Sequence, residues 1–212
     1  MRYLLRFLIS TFWILLYLAS QTALACIEGA PPPKPEEMVL AEKTFASDKS
    51  VVRRIEAYKV LLRTRDPDVL NYVLNLGFDS DVGALKAAAL RCRFIAARIL
   101  TVQTLPYAEA IKINKSLSDS EAAVAEKGYK RSFSVFGVSV DGNCLFLKGG
   151  GKEACEPRHT AVLSDQSVSI VWRDNPPVEG TFRLSDRNRL VGEITQRVNR
   201  KIFTLPAELL LH

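Results

Sequence analysis

At 212 residues, with 48% hydrophobic and 25% charged side chains, the chain is too apolar for a disordered tail and long enough for one large or two small cores. It carries 29 Lys and Arg against 23 Asp and Glu, a net charge of +6, and only 2 His. So modest a positive balance excludes a strongly basic nucleic-acid-binding chain. The scarcity of histidine leaves little for a zinc site or a histidine-based reaction centre, so no metal and no cofactor is expected.

The first elements read as an address. Arg2 and Arg6 form a positive start, Phe7 to Ala19 is almost wholly apolar, and Ala23-Leu24-Ala25 closes the segment with small residues. These are the three parts of a secretory signal peptide over residues 1–25. A retained anchor is the alternative. The uncharged run after Arg6 is marginal for a span of about 20 residues, and no later run is long or apolar enough for one.

Cleavage after Ala25 makes Cys26 the first residue, and losing Arg2 and Arg6 lowers the net charge to +4. Ala23-Leu24-Ala25-Cys26 resembles the lipobox of bacterial lipoproteins. That resemblance implies a diacylglyceryl group on Cys26, with the arm over residues 26–35, rich in Pro31, Pro32, Pro33 and Pro35, holding a domain off a membrane. Ordinary cleavage instead leaves Cys26 for a disulfide. Both fates stay open, so the expected location is periplasmic or secreted, or a membrane-anchored lipoprotein.

The four cysteines, Cys26, Cys92, Cys144 and Cys155, then lie in a compartment that permits disulfides, with three pairings available. The short separation of Cys144 and Cys155 suits a local hairpin staple, which leaves Cys26 for Cys92. If Cys26 carries lipid, Cys92 becomes a lone buried thiol.

Residues 36–128 are expected to form an α-helical domain. Pro35 with Glu36 and Glu37 starts a first helix. A second follows Ser50, with Val51, Val52, Ile55, Tyr58, Leu61 and Leu62 as one apolar stripe. Asp66-Pro67-Asp68 opens a third, and Gly77 is a natural stop. Asp79-Ser80-Asp81-Val82 begins a fourth, which runs through Ala88, Ala89, Cys92 and Ile95 towards Leu100. Ser118 and Glu121 form a capping box for a short last helix before Gly128. In the Asp-x-Asp-Val starts at 66–69 and 79–82 and the Ala-rich helix behind the second, residues 50–102 resemble HEAT-like helical repeats. The resemblance implies a protein-contact scaffold. It covers one or two units, where a solenoid needs about three or more.

From residue 129 to 212 the apolar period falls to two, which predicts an antiparallel β domain. Phe133, Val135, Val138 and Val140 read as a strand interrupted at Gly137, and Asp141-Gly142-Asn143 as a hairpin turn into Cys144 to Leu147. Further strands are expected at 160–163, 167–172, 180–184, 190–196 and 201–205. The fold class is therefore α+β: an antiparallel helical bundle or short helix-pair array, then a small antiparallel barrel or sandwich.

Little here points to chemistry. His212 is terminal and expected to fray, which leaves His159, beside Glu156 and near Asp165 and the serines of 164–169, as a weak hydrolytic arrangement without a nucleophile elbow. Lys148-Gly149-Gly150-Gly151-Lys152 lacks the following Ser or Thr and the helix of a phosphate cradle. Trp172, Arg173, Arg183, Arg187 and Arg189 are the candidate contact surface, toward an envelope protein or an anionic cell-surface component. These residues favour a noncatalytic exported envelope protein acting by protein or cell-surface contacts. The alternatives are a secreted or periplasmic hydrolase of envelope substrates working through carboxylates or His159, and an inhibitor or chaperone-like binder.

Overall fold

The computed structural model describes residue 26, residues 30–149, residue 155, and residues 158–198 and 201–212. The expected signal peptide, the Gly150-Gly151-Lys152 stretch and Glu156 fall outside the described residues. The fold is α+β, and the chain divides into two compact units, residues 1–85 and 86–212.

In the first unit, helix α1 (Pro35–Ser47) begins where proline fixes φ, with Glu37 accepting the Lys34 N–H at 3.1 Å. Helix α2 (Val51–Leu61) is capped by Ser50, which accepts the Arg53 N–H. Helix α3 (Pro67–Phe78) starts on Asp66, whose carboxylate accepts the N–H groups of Asp68 and Val69 at 2.9 and 3.2 Å. Gly77 does not stop this helix. It is buried inside the last turn, and Asp79 follows as the C-terminal cap.

The core of this unit gathers round Tyr58, which is fully buried. Its ring centroid lies 5.6 Å from that of Phe45, and its hydroxyl donates to the Val73 carbonyl at 3.1 Å. Burial drives the Tyr58 phenol far above its usual range, so it stays a neutral donor. The expected apolar stripe of α2 is only half used: Tyr58 and Leu61 are buried, whereas Val51 and Val52 are exposed.

Helix α4 (Gly83–Ala96) runs from the first unit into the second. It stops at Ala96 rather than near Leu100. Ile99–Thr104 is instead a strand, β1, with Leu100 and Val102 fully buried. The reason is long-range: β1 pairs with the C-terminal strand, Leu100 opposite Leu211 and Thr104 opposite Ala207. β-branched Ile99, Thr101, Val102 and Thr104 suit that pleated surface better than a helix. The stretch expected to be helical up to residue 128 is thus broken by a strand, although α5 (Tyr107–Ile113) and α6 (Asp119–Lys127) follow it. The Ser118–Glu121 capping box forms as expected, with Ser118 donating its N–H to Glu121 at 2.9 Å.

The remaining strands are β2 (Lys130–Ser134), β3 (Gly137–Val138), β4 (Cys144–Phe146), β5 (His159–Ser164), β6 (Ser167–Trp172), β7 (Val178–Leu184), β8 (Leu190–Val198) and β9 (Lys201–Leu211). They form one antiparallel sheet in the order β2-β1-β9-β8-β7-β6-β5-β4-β3. β2 and β3 are its two edges, so among the described residues the sheet is an open half-barrel, neither a closed barrel nor a two-sheet sandwich. Register aligns Ala161, Ile170, Gly180, Ile194 and Leu205 in one row across five strands, and His159, Trp172, Val178, Gln196 and Phe203 in the next. Strand pairing puts each row on one face. The first row is apolar; the second marks the rim where polar residues begin.

His212 is not frayed. Its carbonyl accepts the N–H groups of Arg98 and Ile99 at 2.6 and 3.0 Å, and its own N–H donates to Ile99.

Candidate functional site

His159 opens β5 directly opposite Trp172, the last residue of β6. Two residues beyond Trp172, Asp174 turns back to the same rim. His159 Nε2 lies 3.1 Å from Asp174 Oδ1, and Lys148 Nζ, just past β4, donates to Asp174 Oδ2 at 2.7 Å. The Lys148 hydrogen bond, aided by His159, holds the Asp174 carboxyl below its ordinary value of 3.8. The histidine ring meets Trp172 edge-on at 4.6 Å.

From the sheet edge, Arg131 of β2 places its guanidinium 5.2 Å from both the Phe133 and the Trp172 rings and donates to the Pro176 carbonyl. This stack ties edge strand β2 to the β6–β7 connection. Beside it, burial raises the Tyr129 phenol, with Arg131 opposing the shift.

Of the residues expected beside His159, Glu156 lies outside the described residues, and Asp165 and the serines of 164–169 are not brought to it. Asp165 sits in the β5–β6 turn at φ +52°, at the opposite end of β5 and roughly 20 Å from His159 along the strand. Ser167 donates to the Ser164 carbonyl in that same turn, and Ser169 is bonded to Thr181. Among the described residues no hydroxyl or thiol is hydrogen-bonded to His159. Its partner is Asp174, which the β5–β6 hairpin register could have pointed to: pairing 159 with 172 delivers 174 to the same rim.

Protonation of Asp174 is expected to loosen this rim. A carboxyl with a depressed folded value contributes above its unfolded value, and that contribution is lost as pH falls through the folded one, here below 3.8. In a chain beginning at Cys26, Trp172 is the single tryptophan, and its fluorescence then reports on the rim without interference. An acid titration below pH 3.8 should change the Trp172 emission, and Asp174→Asn should abolish that step. An unchanged titration in the variant would assign the step to another carboxyl.

The expected contact surface is dispersed. Trp172 is half-buried in the stack just described, and Arg173 pairs with Glu179. Arg183 and Arg187 are exposed, but Arg189 is engaged by Glu109 at 3.2 Å and Glu208 at 3.6 Å. Cys144 and Cys155 form the expected disulfide, Cα to Cα 6.2 Å. Cys26 and Cys92 are disulfide-bonded as well, so all four cysteines are used. Two disulfides place the chain in an oxidising, extracytoplasmic compartment.

Sequence reasoning missed an open apolar groove of about 490 Å³ between α1 and α2. Ala41, Thr44 and Ala57 give it small walls. Leu40 and Val52, 66% and 69% exposed, stand over it. Its charged rim is internally paired: Arg63 with Glu37 at 3.6 Å, Lys59 with Glu56 at 2.7 Å, and Arg53 with Asp48 at 3.5 Å. The signal was present in the sequence, since Val51 and Val52 precede the turn of α2 that carries Tyr58 and begin an apolar stripe longer than the core needs.

Among the described residues no helix is long and apolar enough to cross a membrane, and no group of His, Cys, Asp and Glu is arranged to hold a metal ion. Comparison with protein-family models, curated proteins and solved structures gives no match.

Proposed function

We propose that this chain is an exported, noncatalytic envelope protein that works by protein–protein contact through its helical unit. The observation that carries this reading is the α1–α2 groove, whose apolar side chains Leu40 and Val52 face solvent although the core beneath is already closed round Tyr58. Burying such side chains contributes roughly 1.5–3 kcal/mol each, which a solitary domain forgoes and an interface recovers. The polar rim supports the same reading from the other side: His159, Asp174, Lys148 and Arg131 are spent on holding the sheet's end together. Export is supported by the leader-like sequence of residues 1–25 and by the disulfides. Because Cys26 sulfur is in a disulfide it has no valence for a thioether lipid, so we favour a freely diffusing periplasmic or secreted form.

Photo-crosslinking in the native envelope tests the reading. With p-benzoylphenylalanine in place of Leu40, a discrete protein adduct is expected, and none with the same group in place of Thr181 on the outer sheet face. Adducts absent at Leu40, or equal at both positions, would remove the groove as a contact surface.

A further inference from the structure

We propose that the rim of the sheet binds a carboxylate, held by the Arg131 guanidinium with the Tyr129 hydroxyl and the Trp172 indole N–H as further donors. The site is built entirely from the β unit and shares no residue with the α1–α2 groove, so it stands or falls independently of the contact reading above.

The side chains that hold this rim together leave a surplus of donors. Tyr129 Oη and Trp172 Nε1 are shut off from solvent and have no hydrogen-bond partner among the described residues. The Nε atoms of Arg54, Arg63 and Arg189 share this condition, but their guanidinium groups are already ion-paired, and His159 Nε2 faces Asp174. Tyr129 and Trp172 have no such compensation. A buried donor without an acceptor is a standing cost, and two on either side of one guanidinium call for an acceptor from outside the chain.

Positive charge is in surplus at the same place. Lys148 is neutralised by Asp174 and Arg173 by Glu179. Arg131 meets no carboxylate among the described residues. Neither does exposed Lys130 beside it, nor exposed Arg158, whose carbonyl accepts the Arg173 N–H. The partner must therefore accept hydrogen bonds and carry negative charge.

Arg131 decides its shape. Stacking 5.2 Å from both the Phe133 and Trp172 rings fixes the plane of the guanidinium, which spends one N–H on the Pro176 carbonyl. Such a fork matches a planar group of two oxygens, and a single guanidinium between two neutral donors suits a single negative charge. Burial keeps the Tyr129 phenol protonated, so it donates. Both neutral donors are covered while Arg131 holds Pro176, and the carboxylate reaches them as Arg131 exchanges that carbonyl for it.

The test is a heteronuclear NMR titration of the chain purified after export, disulfides intact, read at the Trp172 indole N–H. The probes are acetate, N-acetyl-trialanine with a free carboxylate, and the same peptide as its amide. With the carboxylates the indole signal should move downfield and saturate below about 0.1 M, and with the amide it should stay. Arg131→Gln should weaken binding at least about tenfold. Because Arg131 also ties down Pro176, Tyr129→Phe keeps the test independent of folding. It removes only the orphaned hydroxyl, so thermal melting should be unchanged or raised while affinity falls about fivefold.

Tighter binding of the peptide than of acetate assigns the carboxylate to a chain terminus, and equal binding to a free small acid; both uphold the site. An indole signal unmoved by either carboxylate, moved as far by the amide, or saturating alike in wild type and Tyr129→Phe overturns it.

Discussion

Gly192→Ala should leave the β unit unable to hold its sheet. A Cβ at this position would lie 1.9 Å from the Thr181 carbonyl oxygen and 2.8 Å from the Phe182 Cα, both backbone atoms of the neighbouring strand. Neither can swing aside as a long side chain can. β7 and β8 must part, and the row through Phe182, Gly192 and Ala207 parts with them. Overpacking of an ordinary core costs about 1–3 kcal/mol, and a clash with fixed backbone should reach or exceed the top of that range. Against a total stability of about 5–15 kcal/mol, that is a large share. Urea unfolding followed by Trp172 fluorescence should show it as a lowered midpoint, or as a chain that is not recovered folded. Ser169→Ala on the outward face should stay within about 0.5 kcal/mol of wild type. A Gly192→Ala midpoint equal to wild type would mean that the strands are not packed as closely as described.

The second large effect is expected in the helical unit. Tyr58→Ala removes the centre of its core, leaving Phe45 and the Val73 carbonyl without their partner, and should cost about 3–5 kcal/mol. Tyr58→Phe keeps the ring and loses only the hydroxyl bond, for about 1 kcal/mol. The pair separates packing from hydrogen bonding. Thermal melting read by helical circular dichroism should rank wild type, Tyr58→Phe, then Tyr58→Ala. Equal losses in the two variants would show that the hydroxyl, rather than the ring, organises this core.

What could be seen in the sequence, and what could not, divides by the range of the interaction responsible. Helix starts at Pro35, Ser50, Asp66 and Ser118 are local matters of a cap, a fixed φ and nearby carboxylates, and each lies within a few residues of the helix it begins. The meander from β5 to β8 was legible for the same reason, since each strand pairs with the next in sequence. β1 was not, because its partners are β2 and β9, and β9 lies about a hundred residues further along the chain. Without that partner, Ile99 to Thr104 reads as the tail of an Ala-rich helix. The rim was half legible. His159 stood out as one of 2 histidines, but its carboxylate became identifiable only through the β5–β6 register, which substitutes Asp174 for the nearer Asp165. The α1–α2 groove was not legible, because an apolar stripe looks the same whether its neighbour is core or solvent.

The position of β9 also dictates when this protein can become itself. β9 is the strand that joins β1 to β8, so until it is available the paired β1 and β2 and the β3–β8 meander are separate pieces, each with an unpaired edge. A chain in which β9 is kept from pairing therefore lacks the seam of its sheet. This arrangement also makes the carboxyl end the wrong place for a truncation or a rigid fusion, since the backbone of His212 is itself part of the ladder with Ile99.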